Sequence, residues 1–162
     1  IGVNDEGIGY GNISIRFRKN EFIISGSGTG KFKKLTGEHY ALVTDYNVKK
    51  NAICSTGATI ASSESLTHAM IYEHGSDIHS VMHVHHFKLW KKLLTRLPAT
   101  AGNIEYGTPE MAKEIARLFN EQNLFQHKIF AMAGHYEGVV CFGRNLSQTA
   151  ELLMNELGDV TV

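Results

Sequence analysis

Cysteine and proline are scarce in this sequence, and neither sign of charge prevails. The two cysteines, Cys54 and Cys141, provide no disulfide framework and no C-x-x-C pair of the kind that binds metal or does redox chemistry. Each lies among apolar neighbours, so both are expected as small buried thiols of a reducing compartment. Sixteen basic residues balance sixteen acidic ones, which removes the electrostatic footprint of a nucleic-acid or anionic-membrane partner. No apolar run approaches the ~20 residues of a membrane-spanning helix. No secretory leader is visible, and a cytoplasmic protein is expected. Only Pro98 and Pro109 interrupt the chain, and there is no repeat, linker or low-complexity tract. The 162 residues are therefore expected to form one domain, 1–162.

The hydrophobic periodicity supplies the elements. Ile13, Ile15 and Phe17 alternate with polar residues, the period of a half-buried strand. Residues 21–25, 40–44 and 51–54 read as further strands, with Asp45-Tyr46-Asn47 as a turn between the last two. The period becomes helical from Ser62 to about His74, where Ser62 or Ser63 can cap the first turn and Glu64 suits the helix dipole. Glu64, His68 and Tyr72 are spaced four apart and share a face. Residues 77–85 return to strand and residues 88–94 to helix, and Thr108-Pro109-Glu110 opens a helix that runs to about Gln122. Strands over 128–133 and 138–142 and a helix after Ser147 complete a mixed α/β domain.

One glycine-rich stretch invites a nucleotide reading and fails it. In Ser25-Gly26-Ser27-Gly28-Thr29-Gly30-Lys31 a phosphate-binding P-loop would need glycine at position 25, and Ser or Thr where Phe32 stands. What remains is a turn whose amides can cradle an anion.

Nine histidines carry the chemical signal, above all in Met82-His83-Val84-His85-His86. Residues two apart on a strand point to one side, so His83 and His85 can offer two imidazoles to one ion while Val84 faces away. The alternative is a polar face on an edge strand. Catalytic zinc usually takes three protein ligands. His135, between Gly134 and Gly138, is the best candidate for the third, because glycines let the backbone approach a crowded centre. His68 reads as a hydrogen-bonded packing residue ahead of a fourth ligand, and His86 is expected to point away from its neighbours. Glu64 is either a first-turn acid that satisfies the helix dipole or a carboxylate aimed into a cleft to move a proton.

Five segments in order resemble the class II aldolase/adducin family, whose enzymes include fuculose-phosphate and rhamnulose-phosphate aldolases. They are Gly11-Asn12-Ile13-Ser14-Ile15-Arg16; Phe22 to Gly28; Ser62-Ser63-Glu64 with His68 and Tyr72; His83-Val84-His85; and His135 ahead of Gly138-Val139-Val140. The resemblance runs from Gly9 to about Leu153. It implies an α/β/α sandwich around a mainly antiparallel mixed sheet, and a divalent ion, zinc above all, on His83, His85 and His135. It further implies Glu64 as acid/base, with substrate phosphate near Asn12, Gly28, Ser62 and Ser63, and more loosely Ser27. The implied function is that of a metal-dependent lyase making or breaking a carbon–carbon bond through an enediolate. The implied partner is a small sugar or sugar phosphate, and the implied assembly a homotetramer with sites completed at subunit boundaries. A dehydratase, decarboxylase or epimerase on the same metal site is the alternative, and a non-catalytic adducin-like structural module is the alternative of another class. The chain departs from the family in several places. Tyr136 and Glu137 separate His135 from the glycine that usually follows it directly, and the turn has Ser-Gly-Ser-Gly in place of Thr-Pro-Ser/Thr-Gly. The family's N-terminal helical segment has no match before Gly9, and its C-terminal catalytic tyrosine has no clear counterpart.

Overall fold

The computed structural model describes residues 2–3 and 9–161. A short ribbon of β1 (Gly2–Val3) and β2 (Gly9–Tyr10) leads into a seven-stranded sheet. Its strands are β3 (Asn12–Arg16), β4 (Phe22–Ser25), β5 (Tyr40–Asn47), β6 (Ala52–Gly57), β7 (Ser80–His85), β8 (Ile129–Ala131) and β9 (Gly138–Gly143). They lie in the order β6-β5-β4-β3-β7-β9-β8, and every neighbouring pair is antiparallel. The sheet is thus mainly antiparallel, as expected. A parallel contact occurs only as the isolated bridge Ala99–Ala131, among the described residues.

The helices are α1 (Ser65–Glu73), α2 (Phe87–Leu93), α3 (Pro109–Glu121), α4 (Leu124–His127) and α5 (Leu146–Thr161). α1 and α3 cover one face, over a core that includes Phe22, Ile24, Val43, Ile71, Val81, Ile115, Leu118 and Val140. α2 and α5 cover the other face, where Leu89, Leu93 and Leu153 meet Met82, Val84, Val139 and Cys141. α3 starts as its sequence predicts, with Pro109 in its first turn and Thr108 Oγ1 accepting from Met111 N at 3.2 Å. Among the described residues no helix is long and apolar enough to cross a membrane.

Three expectations need correction. First, Asp45–Asn47 belong to β5, not to a turn. The strand continues past a register shift between Val43 and Asp45, and the turn falls at residues 48–51, where Asn47 Oδ1 accepts from Lys50 N at 3.0 Å. Second, Cys54 is exposed, because β6 is an edge strand paired on one side only; Cys141, in the interior of the sheet, is buried. Third, β3 buries its polar side. Asn12 and Ser14 face α1, whereas Ile15 and Phe17 are exposed and Ile13, Ile15, Ile23 and Tyr40 line an open groove of about 250 Å³ with Leu146. Alternation predicts a strand but not which face is covered, and here hydrogen bonds to α1 settle the register.

Candidate active site

The loop before α1 departs from the predicted cap. The helix begins at Ser65, and Glu64 holds the N-cap position with no side-chain capping bond. Ser62 takes over the local role: its Oγ accepts from Glu64 N at 3.3 Å and its carbonyl accepts from Ser65 N at 3.0 Å. The Glu64 carboxylate is therefore free of its own helix. It lies 3.4 Å from His83 Nε2 and 3.2 Å from His135 Nε2, and it accepts from Asn12 Nδ2 at 3.3 Å. Asn12 stands directly opposite His83 in the β3–β7 register, which places the amide and the imidazole side by side beneath α1.

His83 and His85 share the face of β7 that looks toward α1, and Val84 packs with the opposite core. Their Nε2 atoms are 3.0 Å apart. His135 reaches them from the turn between β8 and β9, its ring centroid 5.2 Å from that of His83 and 4.6 Å from that of His85. Gly138 makes this approach possible: a Cβ there would sit 2.7 Å from His135 Cδ2 and 3.2 Å from His83 Cε1. Gly134 does the same on the other side, where a Cβ would overlap the Ile104 carbonyl.

The donor set fits a divalent cation. The ligand atoms of His83, His85 and His135 lie within 4.8 Å of one another, and the triad could hold an ion. His83 Nδ1 donates to the Val139 carbonyl at 3.2 Å, which leaves the Nε2 lone pair facing the cluster, the arrangement that orients metal-bound imidazoles. Burial lowers the proton affinity of His83 and brings His85 to about 3, so both rings are neutral and able to bind metal at physiological pH. Burial by itself would raise the Glu64 carboxyl, but the positive charge that His83 and His135 carry once protonated outweighs it and draws the group down to about 2 in the metal-free protein.

A cavity of about 550 Å³ opens over this cluster. It is lined by all nine residues singled out from the sequence: Asn12, Ser27, Gly28, Ser62, Ser63, Glu64, His83, His85 and His135. With the cleft and its carboxylate in view, the sequence matches the profile of the Class II Aldolase and Adducin N-terminal domain over residues 6–155. The chain belongs to this class II aldolase/adducin family. Among solved structures, one similar in fold is an L-fuculose 1-phosphate aldolase, at TM-score 0.71 and 19% identity, covering 96% of this chain and 74% of that one. A second is the L-fuculose-1-phosphate aldolase of Thermus thermophilus, at TM-score 0.61 and 20% identity, covering 93% and 76%. A third is YgbL of Escherichia coli, for which aldolase, epimerase and decarboxylase are all open, at TM-score 0.69 and 17% identity, covering 96% and 79%. No curated protein matches the sequence.

The two residues between His135 and Gly138 fit into a turn closed by Gly138 N donating to the His135 carbonyl at 2.8 Å. Its third position, Glu137, has φ +64°. A left-handed backbone costs a residue with a Cβ about 1 kcal/mol, and asparagine, found there at Asn51 and Asn123, tolerates it better. Glu137→Gly is expected to raise stability by about 0.5–1 kcal/mol, read as a higher urea midpoint. A lower midpoint would show that the Glu137 side chain makes compensating contacts.

Sequence reasoning missed Tyr10, Tyr106, Tyr136 and Glu137, which also line the cavity. The Tyr10 ring lies 4.8 Å from that of His85, and the Tyr106 ring lies 4.2 Å from that of His135. Tyr106 arrives on the loop whose Ile104 packs on Gly134, a juxtaposition without a local sequence signal. For Tyr136 and Glu137 the available clue was their place between His135 and Gly138. His86 does leave the cluster, and its Nδ1 caps α2 by accepting from Leu89 N at 3.1 Å.

His68 is fully buried on the inner face of α1, and burial brings it to about 3. It is neutral in the fold, whereas in the unfolded chain it takes a proton below about pH 6.5. The unfolded state then binds more protons, so His68's contribution to stability is complete above pH 6.5 and is lost as the pH falls toward 3. The slope is up to ~1.4 kcal/mol per pH unit. Urea midpoints of metal-free protein at pH 7.5 and pH 5 should differ in that direction, and less so in His68→Leu.

Proposed function

We propose that this chain is a metal-dependent lyase of the aldolase type, acting on a small hydroxy-carbonyl compound of the sugar-phosphate class. The observation that carries this reading is a desolvated carboxylate, that of Glu64, held between two of three clustered imidazoles at the floor of an open cavity. His83, His85 and His135 would hold a divalent ion, zinc first among the candidates, which would supply Lewis-acid stabilisation of the oxygen charge that develops when a carbon beside a carbonyl loses its proton. Glu64 does the proton work. In the condensing direction its carboxylate takes the proton from that carbon, and in the cleaving direction it returns it after the carbon–carbon bond has broken. Asn12 orients it through the bond to Oε2.

The far end of the cavity suits a phosphate held by neutral donors, since no lysine or arginine lines it among the described residues. Gly26, Ser27 and Thr29 spend their amides on the carbonyls of His39, Ile60 and Gly26, which leaves the Gly28 N–H of this turn to donate. Gly28 has φ +70°, which turns the backbone there. Ser62 Oγ accepts from Glu64 N and keeps its own proton to give. Ser27 and Ser63 add hydroxyls. The test is exchange of a hydroxymethyl hydrogen of dihydroxyacetone phosphate in D₂O, followed by NMR with zinc-loaded protein. Enzyme-dependent exchange, faster than with unphosphorylated dihydroxyacetone, is expected. No exchange with either ketone would remove this reading.

A further inference from the structure

β3 and α1 meet along a row of polar side chains. Two strand residues advance about 6.8 Å and four helix residues about 6.0 Å, so the inward residues Asn12, Ser14 and Arg16 come level in turn with Glu64, His68 and Tyr72. Asn12 Nδ2 donates to Glu64 Oε2 at 3.3 Å. Ser14 Oγ lies 2.7 Å from His68 Nδ1 and 2.7 Å from Tyr72 Oη, bridging two turns of the helix. The Arg16 guanidinium closes the row, 4.7 Å from the Tyr72 ring centroid and donating to the carbonyls of Tyr72 and Gly75.

Stability does not account for the imidazole in this row. His68 is buried completely, and its Nε2 has no hydrogen-bond partner. Leaving a buried polar atom unpaired costs about 1–3 kcal/mol, and a leucine of similar volume would avoid that cost. What His68 adds is a bond from the middle of α1 to the strand whose next inward residue, Asn12, holds Glu64. Glu64 needs such a fixture, because it precedes the helix and has no capping bond of its own. A 10° turn of α1 about its axis would move a side chain at the helix surface by on the order of 1 Å. A displacement of that size in a catalytic group can cost about 100-fold in rate.

We propose that His68 is a positioning residue for Glu64, fixing the rotation of α1 against β3 through Ser14. The proposal rests on the proton-transfer reading of Glu64. His68 does not line the cavity and touches no reacting atom.

The test uses the full chain loaded with zinc and the exchange of dihydroxyacetone phosphate in D₂O. His68→Leu is expected to lower kcat about 10–100-fold, with KM and zinc content within about threefold of the parent. His68→Asn, whose amide lies where Nδ1 lies, is expected to recover most of the loss. Ser14→Ala cuts the same link from the strand with little change of volume and is expected to lower kcat in the same way, which keeps the test valid if His68→Leu does not fold. In a Glu64→Gln background, His68→Leu is expected to add no further loss, as for residues that act as one unit. Unchanged kcat in both His68→Leu and Ser14→Ala, a loss confined to KM or zinc content, or no recovery in His68→Asn would overturn the role of His68. Exchange that survives Glu64→Gln, or that is missing from the parent, overturns the reading of Glu64 itself and this inference with it.

Discussion

Glu64→Gln is expected to slow hydrogen exchange in dihydroxyacetone phosphate by about 10²–10⁴-fold, the usual weight of a positioned acid/base group. Glutamine keeps the shape and can still pair with the Asn12 amide and the two imidazoles, so the cavity should persist. It cannot take a proton from carbon. Zinc content should stay at the parent level, because the three ligand nitrogens belong to other residues. The loss should therefore appear in kcat, with KM little changed. A parallel loss of zinc would mean that Glu64 serves mainly to hold the site together.

His83→Ala is expected to have the second large effect, on metal binding itself. Structural zinc sites contribute roughly 10–16 kcal/mol over four ligands, so one ligand is worth about 3 kcal/mol, more than 100-fold in affinity. His83 is the most buried of the three, and its Nδ1 is tied to Val139, so no neighbouring ring can replace it. Zinc should raise the melting temperature of the parent and leave that of His83→Ala nearly unchanged, since a ligand stabilises only the state it binds. His86→Ala is the internal control, one residue from His85. It should bind zinc as the parent does and lose only the cap of α2, about 1 kcal/mol. Equal zinc responses in the parent and in His83→Ala would place the ion elsewhere.

Local chemistry was legible where one residue's surroundings are its sequence neighbours. Thr108-Pro109-Glu110 announced α3, and the two-residue spacing of His83 and His85 placed both rings on one side of β7. The meeting of His135 with that pair followed from its flanking glycines together with the family resemblance. Legibility failed where a distant partner decides. The inward side of β3 is polar because α1 offers Glu64, His68 and Tyr72, and no window around Ile13 contains that information. The four-residue α4 is too short to show a period. Tyr106 reaches the cavity only because its loop packs on Gly134. The boundary at Glu64 was misplaced for an instructive reason: a serine pair before an acidic residue reads as a helix cap, yet the carboxylate turns away from the helix toward the histidines.

The proposed chemistry depends on the imidazoles of residues 83, 85 and 135 acting as one ligand set with Glu64 beside them. Anomalous diffraction at the zinc edge, from crystals of protein supplied with one equivalent of zinc, tests this without intermediaries. One strong peak is expected between the three imidazoles, with the Glu64 carboxylate lining the same cavity. A peak at another cluster, or the ring of His135 turned away from an ion bound by the other two, would refute it.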